Sequence, residues 1–151
     1  MLLLNPQYGL RGGQIDIYLK SQKNFKGCFP IDQIPVFTSF PTYIIVNTAL
    51  AKSPGEHWIA LIIRKADFLY FDSFGLGVMN YRLFQYFKRY DGNRPIIHSK
   101  ICIQSLTSYS CGLFVTAFVK HVKSIKSYHL FMGKFNHENL PINDLIVYSL
   151  L

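Results

Sequence analysis

A histidine, an aspartate and a cysteine stand at the ends of three apolar runs, and together they are the parts of a nucleophilic site. His57 opens the run Trp58-Ile59-Ala60-Leu61-Ile62-Ile63, and Asp72 closes the run Phe68-Leu69-Tyr70-Phe71. The stretch between them, with Lys65-Ala66-Asp67, reads as the turn of an antiparallel hairpin. Folding at residues 65 and 66 brings His57 and Asp72 within a residue or two of directly opposite, where cross-strand Cβ atoms lie about 5 Å apart. An imidazole at that range donates one N–H to the carboxylate, which fixes its tautomer and stabilises the imidazolium. A lone His–Asp pair at strand ends is more often structural, so the pair gains meaning only from a third residue.

Cys111 supplies it. It precedes Gly112-Leu113-Phe114-Val115-Thr116-Ala117-Phe118-Val119, a stretch apolar on nearly every side that reads as an interior helix running to about Lys123. First-turn N–H groups are unpaired and the helix dipole favours negative charge there, so a thiolate is favoured at this place, more so beside a histidine. Gly112 leaves space for a substrate to approach the backbone. The competing role for any free cysteine is that of a small core hydrophobe, and Cys28, in a loop, and Cys102, in a strand, fit it better. Gln104 lies seven residues before Cys111. A loop of that length can fold its amide back beside the Cys111 N–H, where both would face a developing oxyanion. On spacing alone, Gln104 reads equally well as an ordinary polar loop residue.

The elements that must position these groups follow from the pattern. Gln14 to Gln22 reads as a short helix with Ile15, Tyr18 and Leu19 on one face. Phe25 to Pro41, with Gly27, Pro30, Pro35 and Pro41, reads as mostly loop. Tyr43 to Val46 reads as a buried strand, Asn80 to Tyr90 as a helix with Leu83, Phe84 and Phe87 on one face, and Ile96 to Ile103 as a strand. Ser124 to Leu151 carries a weaker pattern, with one more helix or strand expected between Asn139 and Leu151.

The bulk numbers set limits. The 151 residues fit one domain, residues 1–151. Half of them are hydrophobic, enough for a core that buries roughly two-thirds of the unfolded surface. Three cysteines, an odd number, make no disulfide scaffold and lack metal-ligand spacing, so no metal site is expected and a reducing intracellular setting is. Met1-Leu2-Leu3-Leu4 is too short for a signal peptide, and no apolar stretch approaches a membrane span. The net charge of +8 suits a polyanion as partner, but the basic residues are scattered, which argues against specific base readout.

His57-Trp58, Phe71-Asp72-Ser73-Phe74-Gly75, and Gln104 followed by Cys111-Gly112-Leu113-Phe114 resemble, in that order, the adenovirus protease family. Phe29-Pro30 and Ile45-Val46-Asn47-Thr48-Ala49, then Gly55-Glu56-His57-Trp58, extend the resemblance over residues 25 to 122. It implies an α+β, papain-like or adenain-like fold: a mixed sheet packed on a central helix that carries the nucleophile at its N-terminus. It implies a viral-type cysteine endopeptidase that processes precursor proteins at glycine-containing sites. Cys111 would be nucleophile, His57 base and Asp72 its orienter, with Gln104 and the Cys111 N–H binding the oxyanion. Trp58 would wall a slot for small residues, although a strand tryptophan also fills a core. The resemblance implies no cofactor for the chemistry, DNA or a viral peptide as activator, viral precursor polypeptides as substrates, action as a monomer, and a place in the host nucleus or the virion.

There are departures. The adenoviral enzymes have Glu where Asp72 stands, whereas relatives that cleave ubiquitin-like proteins have Asp. No cysteine occupies the place that would bind an activating peptide covalently, since Cys102 is too close to Gln104. The residues after the cysteine helix do not match. A SUMO-type deconjugating protease and an inactive binding module with the same fold are therefore the alternatives.

Overall fold

The structure, a computed structural model, describes residues 9–151, so the apolar start Met1–Leu4 lies outside the described residues. The elements run α1 (Gly12–Leu19), β1 (Phe25–Pro30), β2 (Thr42–Asn47), β3 (Trp58–Ile63), β4 (Phe68–Phe71), α2 (Tyr81–Phe87), β5 (Ile96–His98), α3 (Cys111–His121), α4 (Ile125–Met132) and α5 (Ile142–Ser149). The strands form one mixed sheet in the order β1-β2-β3-β4-β5. The inner pairs are antiparallel, and both edge strands join in parallel.

Strands β2 and β4 are buried throughout and β3 nearly so, which is why they read as continuous apolar runs rather than alternating ones. Their residues divide by parity. Tyr43, Ile45, Ala60, Ile62, Leu69 and Phe71 face a core built with α3, α4 and α5. Ile44, Val46, Ile59, Leu61, Phe68 and Tyr70 face a second core closed by Ile31, Ile34 and the α2 side. Helix α3 is buried from Gly112 to Val119, as its all-round apolar pattern predicts. Phe118 stacks on Phe71 at 4.7 Å between ring centres, welding helix to sheet.

Several expectations change. Residues 25–41 are not all loop, because Phe25–Pro30 pairs with β2. The glycine and proline that hid this strand are accommodated by its edge position. Gly27 takes a positive φ of 128° next to a register shift, and Pro30, last in the strand, needs no donor there. The strand expected to reach Ile103 stops at His98. Beyond it the chain crosses the end of β4, where the Ile103 and Gln104 N–H groups both donate to the Ser73 carbonyl. Gly75 makes that crossing possible, since a Cβ on it would stand 2.6 Å from the Ile101 carbonyl carbon. In α2, Phe84 is exposed and Tyr86 buried instead, and the Lys88 ammonium lies 4.6 Å from the Phe84 ring centre. Helix α4 was not anticipated, although Ser124 caps it through the Ser127 N–H and Tyr128, Phe131 and Met132 share a buried face. The element expected between Asn139 and Leu151 is the helix α5.

Phe118→Ala removes the ring that joins α3 to β4. It should lower stability by about 3–5 kcal/mol, read as a fall in the urea midpoint; a loss under about 1 kcal/mol would mean that this contact does not hold the layers together.

Candidate active site

The hairpin register is Ala60 opposite Phe71 and Ile63 opposite Phe68. Continued past the paired residues, it sets His57 opposite Phe74, two residues from Asp72. The contacts match: the His57 ring stacks on Phe74 with centroids 4.8 Å apart, and its Nε2 lies 2.8 Å from Asp72 Oδ1. The same oxygen accepts the Phe74 N–H at 2.9 Å, so the carboxylate is fixed by the turn that follows it. A carboxylate only accepts, so Nε2 must carry the proton and Nδ1 is left for another partner. His57 is anchored from behind, where its carbonyl accepts the Thr48 N–H at 2.9 Å. Asn47, at the end of β2, accepts the Ala49 and Glu56 N–H groups on one oxygen and so gathers both ends of the loop before His57.

Cys111 begins α3 and lines the same cleft as His57, Trp58, Phe74 and Gln104, a space of about 920 Å³. The imidazole and the Cys111 thiol are hydrogen-bonded. Burial alone pulls the His57 pKa down, but hydrogen bonds to Asp72 and Cys111, with their negative charge, overcome it and raise the value from 6.5 to about 9. Cys28 lines the cleft too, but burial first, then the charge and hydrogen bonding of Asp16, push its thiol far up and keep it protonated. Cys102 donates its S–H to the Gln104 carbonyl. Only Cys111, of the three, therefore sits beside a proton acceptor at a helix start.

Gln104 is 1% exposed, and its amide is oriented by two partners. Its oxygen accepts the Ser73 hydroxyl, and its nitrogen donates to the Ser108 carbonyl at 3.1 Å. A carbonyl cannot donate, so the NH₂ group must face Ser108, and its second hydrogen remains for the cleft. Ser73 thus follows Asp72 in the chain and holds Gln104 by both carbonyl and hydroxyl. Trp58 lines the cleft with its indole N–H bonded to the Leu10 carbonyl at 3.0 Å, and it also packs on the α3 core. Two sequence candidates do not line the cleft: Asp72 reaches it only through His57, and Gly112 does not reach it. It is buried behind the wall, and a Cβ there would meet Leu10 Cβ at 2.9 Å. Its smallness admits Leu10 rather than a substrate. Among the described residues no group of His, Cys, Asp and Glu has the arrangement of a metal site, and no helix is long and apolar enough to cross a membrane.

No protein-family model and no curated protein matches the sequence. Solved structures do. The ASFV pS273R protease superposes with a TM-score of 0.53 at 14% identity, over 97% of this chain and 68% of that one. The chain shares that protease's fold. This is the adenain-like, papain-like α+β fold expected from the sequence. The SUMO protease Ulp1, with its catalytic cysteine oxidised to a sulfenic acid, aligns at a TM-score of 0.49 and 16% identity, over 97% of this chain and 78% of that one.

The site residues that the sequence pattern does not single out are Ser73, Phe74 and Ser108. Ser73 and Phe74 stand inside a quoted motif, and Ser108 lies in the loop between Gln104 and Cys111.

A raised His57 pKa gives a pH test. The folded value lies above the ordinary 6.5, so the charged ring stabilises the fold fully below about pH 6.5, and that contribution is lost as pH rises through about 9. The His57 ring resonances should titrate near pH 9, and Asp72→Asn should move the midpoint down because burial then goes less opposed. A wild-type midpoint at or below 6.5 would contradict the ion-pair geometry.

Proposed function

We propose that the protein is a cysteine endopeptidase that cuts polypeptides at glycine-containing sites. The observation that carries the reading is the single cleft in which an imidazole bonded to Asp72 meets a thiol at a helix start, with the Gln104 amide beside them. His57 Nδ1 takes the Cys111 proton, giving a thiolate–imidazolium pair. The sulfur adds to the scissile carbonyl carbon, and the carbonyl oxygen becomes an oxyanion that accepts from the Gln104 amide and the Cys111 N–H. As the C–N bond breaks, the imidazolium protonates the leaving amine. Water, deprotonated by His57, then attacks the thioester and releases the acid. Asp72 keeps Nε2 protonated throughout and stays ionised.

Trp58 supports the glycine preference. Its ring is pinned by Leu10, and the wall is tight, because a Cβ on Gly12 would come within 3.2 Å of it. Such a wall, on the cleft that Cys111 lines, suits residues without side chains. Viral precursor polypeptides are the substrate class we assign, with DNA as an activator in keeping with the +8 charge. Among the described residues Arg11 is the only Lys or Arg lining the cleft, so a polyanion belongs on another face.

A Gly-Gly-X peptide should be cleaved by the wild type and not by Cys111→Ala, which keeps its fold because little packing is lost. A SUMO fusion offered in parallel separates precursor processing from deconjugation. Cleavage that survives Cys111→Ala refutes the assignment, and a wild type inert on both substrates would favour a binding module. DNA stimulation, where it acts through phosphates, should fall steeply between about 50 and 200 mM salt; stimulation indifferent to salt would count against a phosphate contact.

A further inference from the structure

Helix α5 lends no residue to the cleft wall, yet it is tied to both groups assigned to the oxyanion. Asp144 accepts the Ser108 hydroxyl on its two oxygens, at 3.1 and 2.8 Å, and the Ser110 hydroxyl on Oδ2 at 3.1 Å. The Ser108 hydroxyl in turn accepts the Ser110 N–H at 3.0 Å, and the Ser108 carbonyl is the acceptor that orients the Gln104 amide. One residue earlier, the fully buried Asn143 donates to the Ile103 carbonyl at 2.8 Å and to the Asn136 carbonyl at 2.7 Å. The segment from Ile103 to Ser110 is laid against the start of α5 by side chains of two adjacent residues.

Ser110 occupies the N-cap position of α3. A serine there ordinarily turns its oxygen onto an N–H of the first turn. Ser110 makes no such bond; its hydroxyl goes to Asp144 instead. A capping side chain takes the second or third N–H of the helix, and the Leu113 N–H already donates to the Ser110 carbonyl at 2.9 Å, so a serine turned away leaves the Gly112 N–H, next to Cys111, uncapped.

We propose that Asp144 is a positioning residue for the oxyanion hole. It anchors the Ser108 unit that aims Gln104, and it draws Ser110 away from capping α3, so that the Gly112 N–H beside the nucleophile stays available with that of Cys111. The proposal rests on the peptidase reading above and gives the last helix a part in the reaction without contact to substrate.

The test is Asp144→Ala assayed on the Gly-Gly-X peptide together with iodoacetamide alkylation of Cys111. Alkylation uses the thiolate and His57 but builds no oxyanion. The expected result is a kcat lower by on the order of tenfold to a hundredfold, part of what a lost oxyanion donor costs, with KM little changed. Alkylation rate and its pH profile should stay at the wild-type level. Asp144→Asn, which keeps an acceptor, should fall between. Ser110→Ala added to Asp144→Ala should recover part of the kcat, because no hydroxyl is left to cap α3. An unchanged kcat in Asp144→Ala overturns the proposal. So does a parallel loss of alkylation, which general loosening would produce, and so does a double variant no better than Asp144→Ala. Wild-type protein that cleaves nothing and alkylates Cys111 no faster than Cys102 fails in a distinct way and removes the peptidase reading itself.

Discussion

The pairing of Ala60 with Phe71 and of Ile63 with Phe68 is the constraint from which the site follows. Side chains alternate along a strand, so a slip of one residue would exchange the two buried faces of the sheet. It would send Leu69 and Phe71 away from α3 and bring Phe68 and Tyr70 toward it. Both faces are covered by packed cores, so the slip is strongly opposed. The same register that satisfies the cores decides which residue beyond the paired segment faces His57. Burial of β3 and β4 is thus what aims the histidine at Asp72, although neither residue belongs to the core.

The end of the hairpin serves two purposes through two consecutive residues. Asp72 fixes the imidazole, and Ser73 fixes Gln104 by its carbonyl and hydroxyl. His57 and Gln104 are therefore referred to one short piece of backbone, and Gly75 lets the returning chain pass close enough for the second tie. The electrostatic balance has the same local origin. Burial works against a charged His57, and it is outweighed only because a carboxylate and a thiol flank the ring. Removing either changes more than a hydrogen bond, since the remaining partners then sit in a site that disfavours charge.

What was legible in the sequence is what is local or strongly periodic. The hairpin, the all-round apolar helix α3 and the placing of Cys111 at its start could be read from residue patterns, and the order of His57, Asp72, Gln104 and Cys111 could be read from a resemblance. Strand β1 was hidden because Gly27 and Pro30 look like loop chemistry until a parallel neighbour makes them an edge strand. Helix α4 is short, and its three buried residues form too brief a period to stand out. Gly112 was read for its openness, which Leu10 in fact fills. The roles of Asn143 and Asp144 depend on partners at Ile103, Ser108 and Ser110, a separation that no local pattern records.

The central claim is that the β3–β4 hairpin delivers a working base to a thiol at the head of α3. Its most direct test is the rate of Cys111 alkylation by iodoacetamide at neutral pH in the wild type and in His57→Ala. The account predicts a rate that falls by at least about tenfold, to that of an ordinary thiol with few thiolates at that pH. Equal rates in the two proteins would show that the imidazole does nothing to the sulfur, and the catalytic assignment would be wrong.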